Sequence, residues 1–255
     1  MSASLIYPDW PAPNNVSAIS TTRQGGFSLQ PYDELNLGTH VGDDINRVTK
    51  NRRIVEKIAA LPESPRWLNQ VHGTIVARAN NWQQGDKADA IISYSLNQVC
   101  TIMTADCLPI LLCNQQQVAA IHAGWRGLAS GVIEKTLQQF NCSPKEIITW
   151  LGPAIGSTKF KVGTDVFQSF TQQSSKAKQA FQQTDENHYL ADIYLLAKQR
   201  LNAYGTYAVF GGKYCTVSET DHFFSYRRDG VTGRMASMIW LNDSAKPIPL
   251  RVLTE

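Results

Sequence analysis

Apolar positions along this chain fall into two periods. Leu108-Pro109-Ile110-Leu111-Leu112-Cys113 and Val118-Ala119-Ala120-Ile121-His122 are near-continuous apolar runs, separated by the polar Asn114-Gln115-Gln116-Gln117. Two such runs around a short polar loop predict a β-hairpin. If Cys113 faces Val118, then Leu111 faces Ala120, and counting back sets Cys107 opposite Gly124. His122 is then a same-face, diagonal neighbour of Cys107, roughly 7–8 Å away at Cα. Pro109 removes one ladder hydrogen bond, which predicts a bulge or a sheet edge there.

Val16–Thr21 reads as a strand running into a Gly25-Gly26 turn. Val48, Ile54, Val55 and Ile58 recur at helical spacing, which predicts a helix within 44–60 that Asp44 can cap. Segments 67–71, 74–78 and 88–93 read as short strands. Val132, Ile133, Leu137 and Phe140 predict a helix over 128–140, and 146–151 a buried strand ending at Gly152-Pro153. Further on, 194–201 reads as a helix and 207–210 as a strand, while 172–183 is either helix or surface loop and 237–241 either strand or short helix. Such irregular mixing predicts an α/β or α+β fold, a single domain over 1–255 of layered mixed β-sheets with flanking helices.

Composition narrows the classes. The 255 residues are 43% hydrophobic and 18% charged, as in an ordinary globular protein. A net charge of +3, with Lys and Arg scattered, gives no footprint for nucleic acid or a membrane surface. No apolar run is long enough to span a bilayer, and the first residues lack the pattern of a signal peptide. Five cysteines without paired spacing suit a reducing compartment, so the expected location is cytoplasmic. The expected quaternary state is a monomer or small homo-oligomer.

The polar residues at the hairpin mouth change the picture most. Asn69-Gln70-Val71-His72-Gly73, Ala105-Asp106-Cys107-Leu108-Pro109 and His122-Ala123-Gly124-Trp125-Arg126-Gly127 together carry two imidazoles and a thiolate. His72, Cys107 and His122 make a borderline-soft donor set that suits zinc and can also take copper. Three protein ligands leave a fourth position for water or substrate, which distinguishes a catalytic metal site from a closed structural one. Asp106 has two readings: a hydrogen-bonded turn carboxylate, or a partner that orients an imidazole or the bound water. Arg126, Arg23, Arg227 and Arg228 are candidates for holding an anion, since a guanidinium fork matches phosphate. Arg126 precedes the helix expected near Leu128, whose N–H groups would assist. His40, His188 and His222 lack such neighbours and are read as structural, and Cys100, Cys113, Cys142 and Cys215 as packing or surface thiols. Gly25-Gly26 and Gly211-Gly212 match neither a P-loop nor a dinucleotide fingerprint.

These segments, with Thr21-Thr22-Arg23-Gln24-Gly25-Gly26, Asn36-Leu37-Gly38, His40-Val41-Gly42-Asp43-Asp44, Gly152-Pro153-Ala154-Ile155-Gly156, 223–230 and Thr232-Gly233-Arg234, resemble the YfiH-type laccase-domain family. That family is also labelled polyphenol oxidase-like and purine nucleoside phosphorylase-like. The resemblance spans nearly the whole chain. It implies a fold related to cysteine hydrolases and a metal, usually zinc, on His72, Cys107 and His122. It also implies phosphorolysis of adenosine, inosine and methylthioadenosine with phosphate, and deamination of adenosine. A zinc-bound water with a pKa near 7 suits attack on the purine ring.

Three alternatives compete with the nucleoside enzyme. A copper-dependent polyphenol oxidase of the multicopper type needs about ten histidines, and this chain has five and no His-x-His pair. A Cys–His hydrolase or amidase acting on cell-wall peptides would use Cys107 as nucleophile, in conflict with its ligation of a metal. The open coordination position argues against a fourth class, a non-catalytic metal- or purine-binding protein, without excluding it.

Overall fold

Residues 3–243 are described by a computed structural model. Strands β1 (Leu5–Ile6), β2 (Val16–Thr21), β3 (Arg66–Trp67), β6 (Cys100–Thr104) and β14 (Met235–Leu241) form a mixed sheet in the order β1-β2-β14-β6-β3. A second sheet, ordered β13-β9-β7-β8-β5-β4, holds β4 (Val76–Arg78), β5 (Ala90–Ser93), β7 (Leu108–Cys113), β8 (Val118–Ala123), β9 (Ile148–Leu151) and β13 (Ala208–Gly211). A small antiparallel sheet, β10-β12-β11, is made of β10 (Lys161–Gly163), β11 (Phe181–Asp185) and β12 (His188–Ala191). The helices are α1 (Ile45–Ile58), α2 (Trp125–Ala129), α3 (Val132–Leu137), α4 (Thr164–Thr171), α5 (Ile193–Tyr204) and α6 (Tyr226–Asp229). None of the described helices is long and apolar enough to cross a membrane.

Side-chain alternation explains the layering. Along β7, Leu108, Ile110 and Leu112 turn to one side and pack with Leu128, Val132, Ile133, Ala197 and Leu201 of the helices. Leu111 and Cys113 turn to the other side and meet Ile91, Ala120, Cys100, Ile102 and Ile239, so the two larger sheets lie face to face. The outer face of the β14 sheet contributes Ile19, Met103, Met238 and Trp240 to a third cluster, closed by Leu35, Leu37 and Val55. The order is helix and loop, sheet, sheet, helices. This period-2 division of both strand faces is what two buried sheets demand.

The expected hairpin is present with the expected register, Cys113 opposite Val118 and Leu111 opposite Ala120. Pro109 makes neither a bulge nor an edge. It pairs with His122 in unbroken register inside the sheet. Its carbonyl accepts from Gly152 N, just beyond the end of β9, so its missing N–H falls where the ladder on that side stops. Asp44 caps α1, its side chain accepting from Asn46 N.

The helix expected over 128–140 is two short helices. Gly131, at φ 93°, takes the left-handed conformation that ends α2, and α3 restarts after it. The stretch expected as a strand at 67–71 is strand only through Trp67: Asn69 makes a single backbone bridge to Lys87, and Val71 N turns to the Asp89 carboxylate. Segment 172–183 is a 3-10 turn, Ser175–Ala180, leading into β11, and 237–241 belongs to strand β14.

Candidate metal centre

Cys107 and His122 share the strand parity of Leu111, Cys113, Val118 and Ala120, which sets them on the inter-sheet side of the hairpin. Extending the observed register sets Cys107 opposite Gly124, two places from His122 on the partner strand. The third donor comes from the loop after β3. Gln70 clamps that loop by accepting from Met103 N and donating to Met103 O, both at 2.7 Å, in imitation of a neighbouring strand. His72 follows with φ 59°, a conformation uncommon for a residue with a side chain.

Asp89 holds that strained turn. One of its carboxylate oxygens accepts from His72 N (2.8 Å), the other from Gly73 N (2.6 Å) and Val71 N (3.3 Å). The first oxygen also pairs with Nδ1 of His122 at 2.8 Å, and the Asp89 carbonyl accepts from His122 N. Asp89 is completely buried. Burial pushes its pKa up, but the bonds from His122 and Gly73 outweigh that and leave it lowered. With Nδ1–H committed to Asp89, Nε2 of His122 keeps a free lone pair for a metal.

The ligand atoms of His72, Cys107 and His122 all lie within 4.8 Å of one another. Cys107 Sγ stands 3.8 Å from His72 Nε2, and the two imidazole rings meet edge to face at 4.7 Å. Tetrahedral zinc with ordinary Zn–N and Zn–S bonds separates its donors by about 3.3–3.6 Å, so a small contraction suffices. Among the described residues this is the one group of three or more His, Cys, Asp or Glu side chains so placed. His122 is buried, Cys107 partly exposed and His72 exposed, so the centre opens to solvent on the His72 side. Gly124 gives the donors room: a Cβ there would come within 2.8 Å of His72 Cδ2 and 3.1 Å of Cys107 Sγ. Gly127 similarly lets α2 approach the loop, since its Cβ would meet the Gly73 carbonyl at 2.7 Å.

Without metal, the donors form an ion pair. Burial opposes the Cys107 thiolate, yet His122 and His72 bring its pKa down to about 6. Burial also opposes the His122 imidazolium, but the thiolate and Asp89 raise it to about 9.

The other expected residues divide. Asp106, at φ 95°, accepts from Thr216 Oγ1 and from Arg227 N, each at 2.6 Å. Its carboxylate thus ties the Cys107 turn to α6, and the imidazole partner is Asp89, which the sequence reading passed over. The signal available was an acidic residue inside the apolar stretch 88–93. Arg23 donates from all three nitrogens, to Asp33 and to the Thr220 carbonyl. Arg228 is equally committed, to Asp229 and to the carbonyls of Thr216, Val217 and Phe223. Arg227 gives one bond, to the Lys161 carbonyl, and lies over the Phe160 ring. Arg126 stacks on Trp125 within α2, which starts earlier than expected and is five residues long.

The family model described as multi-copper polyphenol oxidoreductase laccase matches residues 17–242. Purine nucleoside phosphorylase YfiH of Escherichia coli is 51% identical over 242 residues, 94% of this chain and 99% of that protein. A purine nucleoside phosphorylase of Haemophilus influenzae is 48% identical, over 92% of this chain and 98% of its own length. The crystal structure of Neisseria meningitidis protein NMB0706 superposes with a TM-score of 0.91 at 48% identity, covering 94% of this chain and 99% of that one. A Bacillus licheniformis hypothetical protein YfiH gives 0.85 at 29% identity, over 90% and 94%. Sequence and fold agree, and the chain belongs to the YfiH-type laccase-domain family.

Proposed function

We propose that this chain is a zinc-dependent purine nucleoside enzyme of the cytoplasm, acting by phosphorolysis on adenosine, inosine and methylthioadenosine and also deaminating adenosine. The observation that carries the reading is the open three-donor centre, in a chain half identical to proteins named purine nucleoside phosphorylase. His72, Cys107 and His122 are the residues that would hold the metal. When bound, it supplies Lewis acidity and lowers the pKa of a coordinated water towards 7.

The protein's own groups do the remaining work. Asp89 holds the His122 proton at Nδ1 and fixes the ring. Gly124 keeps the space over the donors clear, and the exposed His72 side gives a substrate its approach. The multi-copper label of the family finds less support, because one three-donor group is all the described residues offer.

Metal-free and zinc-loaded protein should be titrated against nucleoside plus phosphate, phenols and amides. The reading requires base release from adenosine or inosine only with phosphate, and inosine formation from adenosine, in the zinc-loaded form. Turnover of phenols or amides in place of nucleosides would reject it.

A further inference from the structure

Three sequence motifs have no part in the metal centre: Asn36-Leu37-Gly38, the His40 segment and Thr232-Gly233-Arg234. The fold joins them beside it. The antiparallel register of β6 and β14 pairs Met235 with Thr104, so Arg234 lies opposite Ala105, two residues before Cys107. Arg234 N donates to Asn36 Oδ1, and Leu37 N donates to the Arg234 carbonyl. From the other side, Arg52 of α1 donates both Nε and Nη2 to the Leu37 carbonyl and stacks on Trp67, 3.8 Å from the ring centre. Gly38 lets the Arg234 chain pass, since a Cβ there would lie 2.9 Å from its Cγ.

Neither guanidinium has a carboxylate partner within salt-bridge distance among the described residues. Arg234 uses only Nη1, on the carbonyls of Thr232 and Gly233, which leaves Nε and Nη2 without a protein acceptor. Arg52 keeps Nη1 in the same state. Burial lowers the pKa of both arginines; the Glu56 charge, four residues along α1, partly offsets this for Arg52, and the Cys107 and Asp106 charges do so for Arg234. Of those two charges, the thiolate is a metal ligand, and both Asp106 oxygens are already bonded to Thr216 and Arg227. Burial and the charges of Arg234 and Arg52 hold His40 below the usual histidine range. Partly buried cations without a carboxylate in direct contact are costly, and an oxyanion with several acceptor oxygens relieves that cost.

We infer that Arg234 and Arg52 form a seat for a phosphate group beside the His72-Cys107-His122 centre. The inference deepens the nucleoside reading and rests on it for the role of the phosphate. The shared chemistry is a tetrahedral phosphate dianion, either free or as a monoester. Guanidinium donors suit its oxygens, and the seat places it next to the metal without using a metal ligand. Of the other family-motif arginines, Arg228 has every guanidinium N–H bonded and Arg23 bonds from all three nitrogens, whereas Arg126 and Arg227 keep donors free and lie over the Trp125 and Phe160 rings.

Zinc-loaded protein should be titrated with inorganic phosphate and, separately, with adenosine monophosphate. Binding is followed by calorimetry and by the ring-proton resonances of the histidines. Inorganic phosphate should bind saturably and shift His40 while leaving His188 unmoved. Arg234→Gln and Arg52→Gln should each weaken binding about 10–100-fold, the loss expected for a charge-assisted bond. Arg234→Lys should recover part of it, and the surface control Arg78→Gln should bind as wild type. Circular dichroism establishes that each variant is folded, and the wild-type His40 shift needs no variant. Arginine-dependent binding of the monophosphate alone supports the seat as one for an ester. No saturable binding of either ligand, or binding indifferent to Arg234→Gln and Arg234→Lys, overturns it. Arginine-dependent phosphate binding in an enzyme that releases no purine base upholds the seat and rejects the nucleoside reading.

Discussion

Replacing Asp89 with asparagine keeps the side chain's size and removes its charge. In the protein, one Asp89 oxygen serves His122 Nδ1 and His72 N, and the other serves Gly73 N and Val71 N. An amide offers an acceptor to only one of these pairs and turns its NH2 towards donors of the other. If the NH2 faces Gly73, the turn that carries His72 at φ 59° loses its tether. If it faces His122, the ring must take its proton at Nε2 instead, which removes the lone pair a metal needs. The metal-free protein should lose about 3–5 kcal/mol of stability, the scale for removing one partner of a buried ion pair. Zinc affinity should fall about 10–100-fold, as for other groups that orient metal-bound histidines. Denaturant unfolding of metal-free protein and competition with a chromophoric chelator measure the two effects. Asp106→Asn is the comparison: its carboxylate holds Thr216 and Arg227, so zinc affinity should stay near wild type. Wild-type zinc affinity and stability in Asp89→Asn would refute the reasoning.

Gly124→Ala should weaken zinc binding while leaving the fold intact, because its backbone (φ −63°) accepts alanine and the added methyl strikes only ligand side chains; the chelator competition reads this directly. In metal-free protein, Cys107 should alkylate with iodoacetamide at pH 7, and more slowly as pH falls through about 6, while Cys100 and Cys113, raised by burial to about 12, stay inert. The lowered Cys107 pKa contributes stability that is lost as pH falls through about 6, and the raised His122 pKa contributes stability lost as pH rises through about 9. Between about pH 6.5 and 9 these two slopes have opposite sign and cancel, so the pair's contribution to the melting temperature of metal-free protein should be nearly level across that range, and a steep slope there that Cys107→Ala removes would contradict the ion pair. Arg228→Ala should lower the melting temperature through its lost carbonyl bonds, with the apparent phosphate affinity of the folded protein unchanged in steady-state kinetics.

The hairpin was legible because its register follows from a polar loop of fixed length and a run of apolar residues on each side. That register alone brought Cys107 and His122 together. His72 was legible as chemistry, but its placement depends on Gln70 and Asp89, two side chains that replace backbone pairing and leave no periodicity to detect. The break between α2 and α3 turned on Gly131, whose sign of φ is set by tertiary context as much as by residue type. Among the arginines, residue type could not separate Arg23 and Arg228, spent on carbonyls and carboxylates, from Arg234, which keeps donors free. That difference depends on which loops meet, and loops separated by some two hundred residues in the chain meet only in the fold.

The most direct measurement follows phosphate-dependent hypoxanthine release from inosine as zinc is added to metal-free protein. The rate should rise linearly and level off at one zinc per chain, with Cys107→Ala remaining folded, binding little zinc and releasing base orders of magnitude more slowly. Release at full rate in the metal-free protein, or equal rates for wild type and Cys107→Ala at matched zinc, would contradict a metal-dependent nucleoside enzyme built on His72, Cys107 and His122.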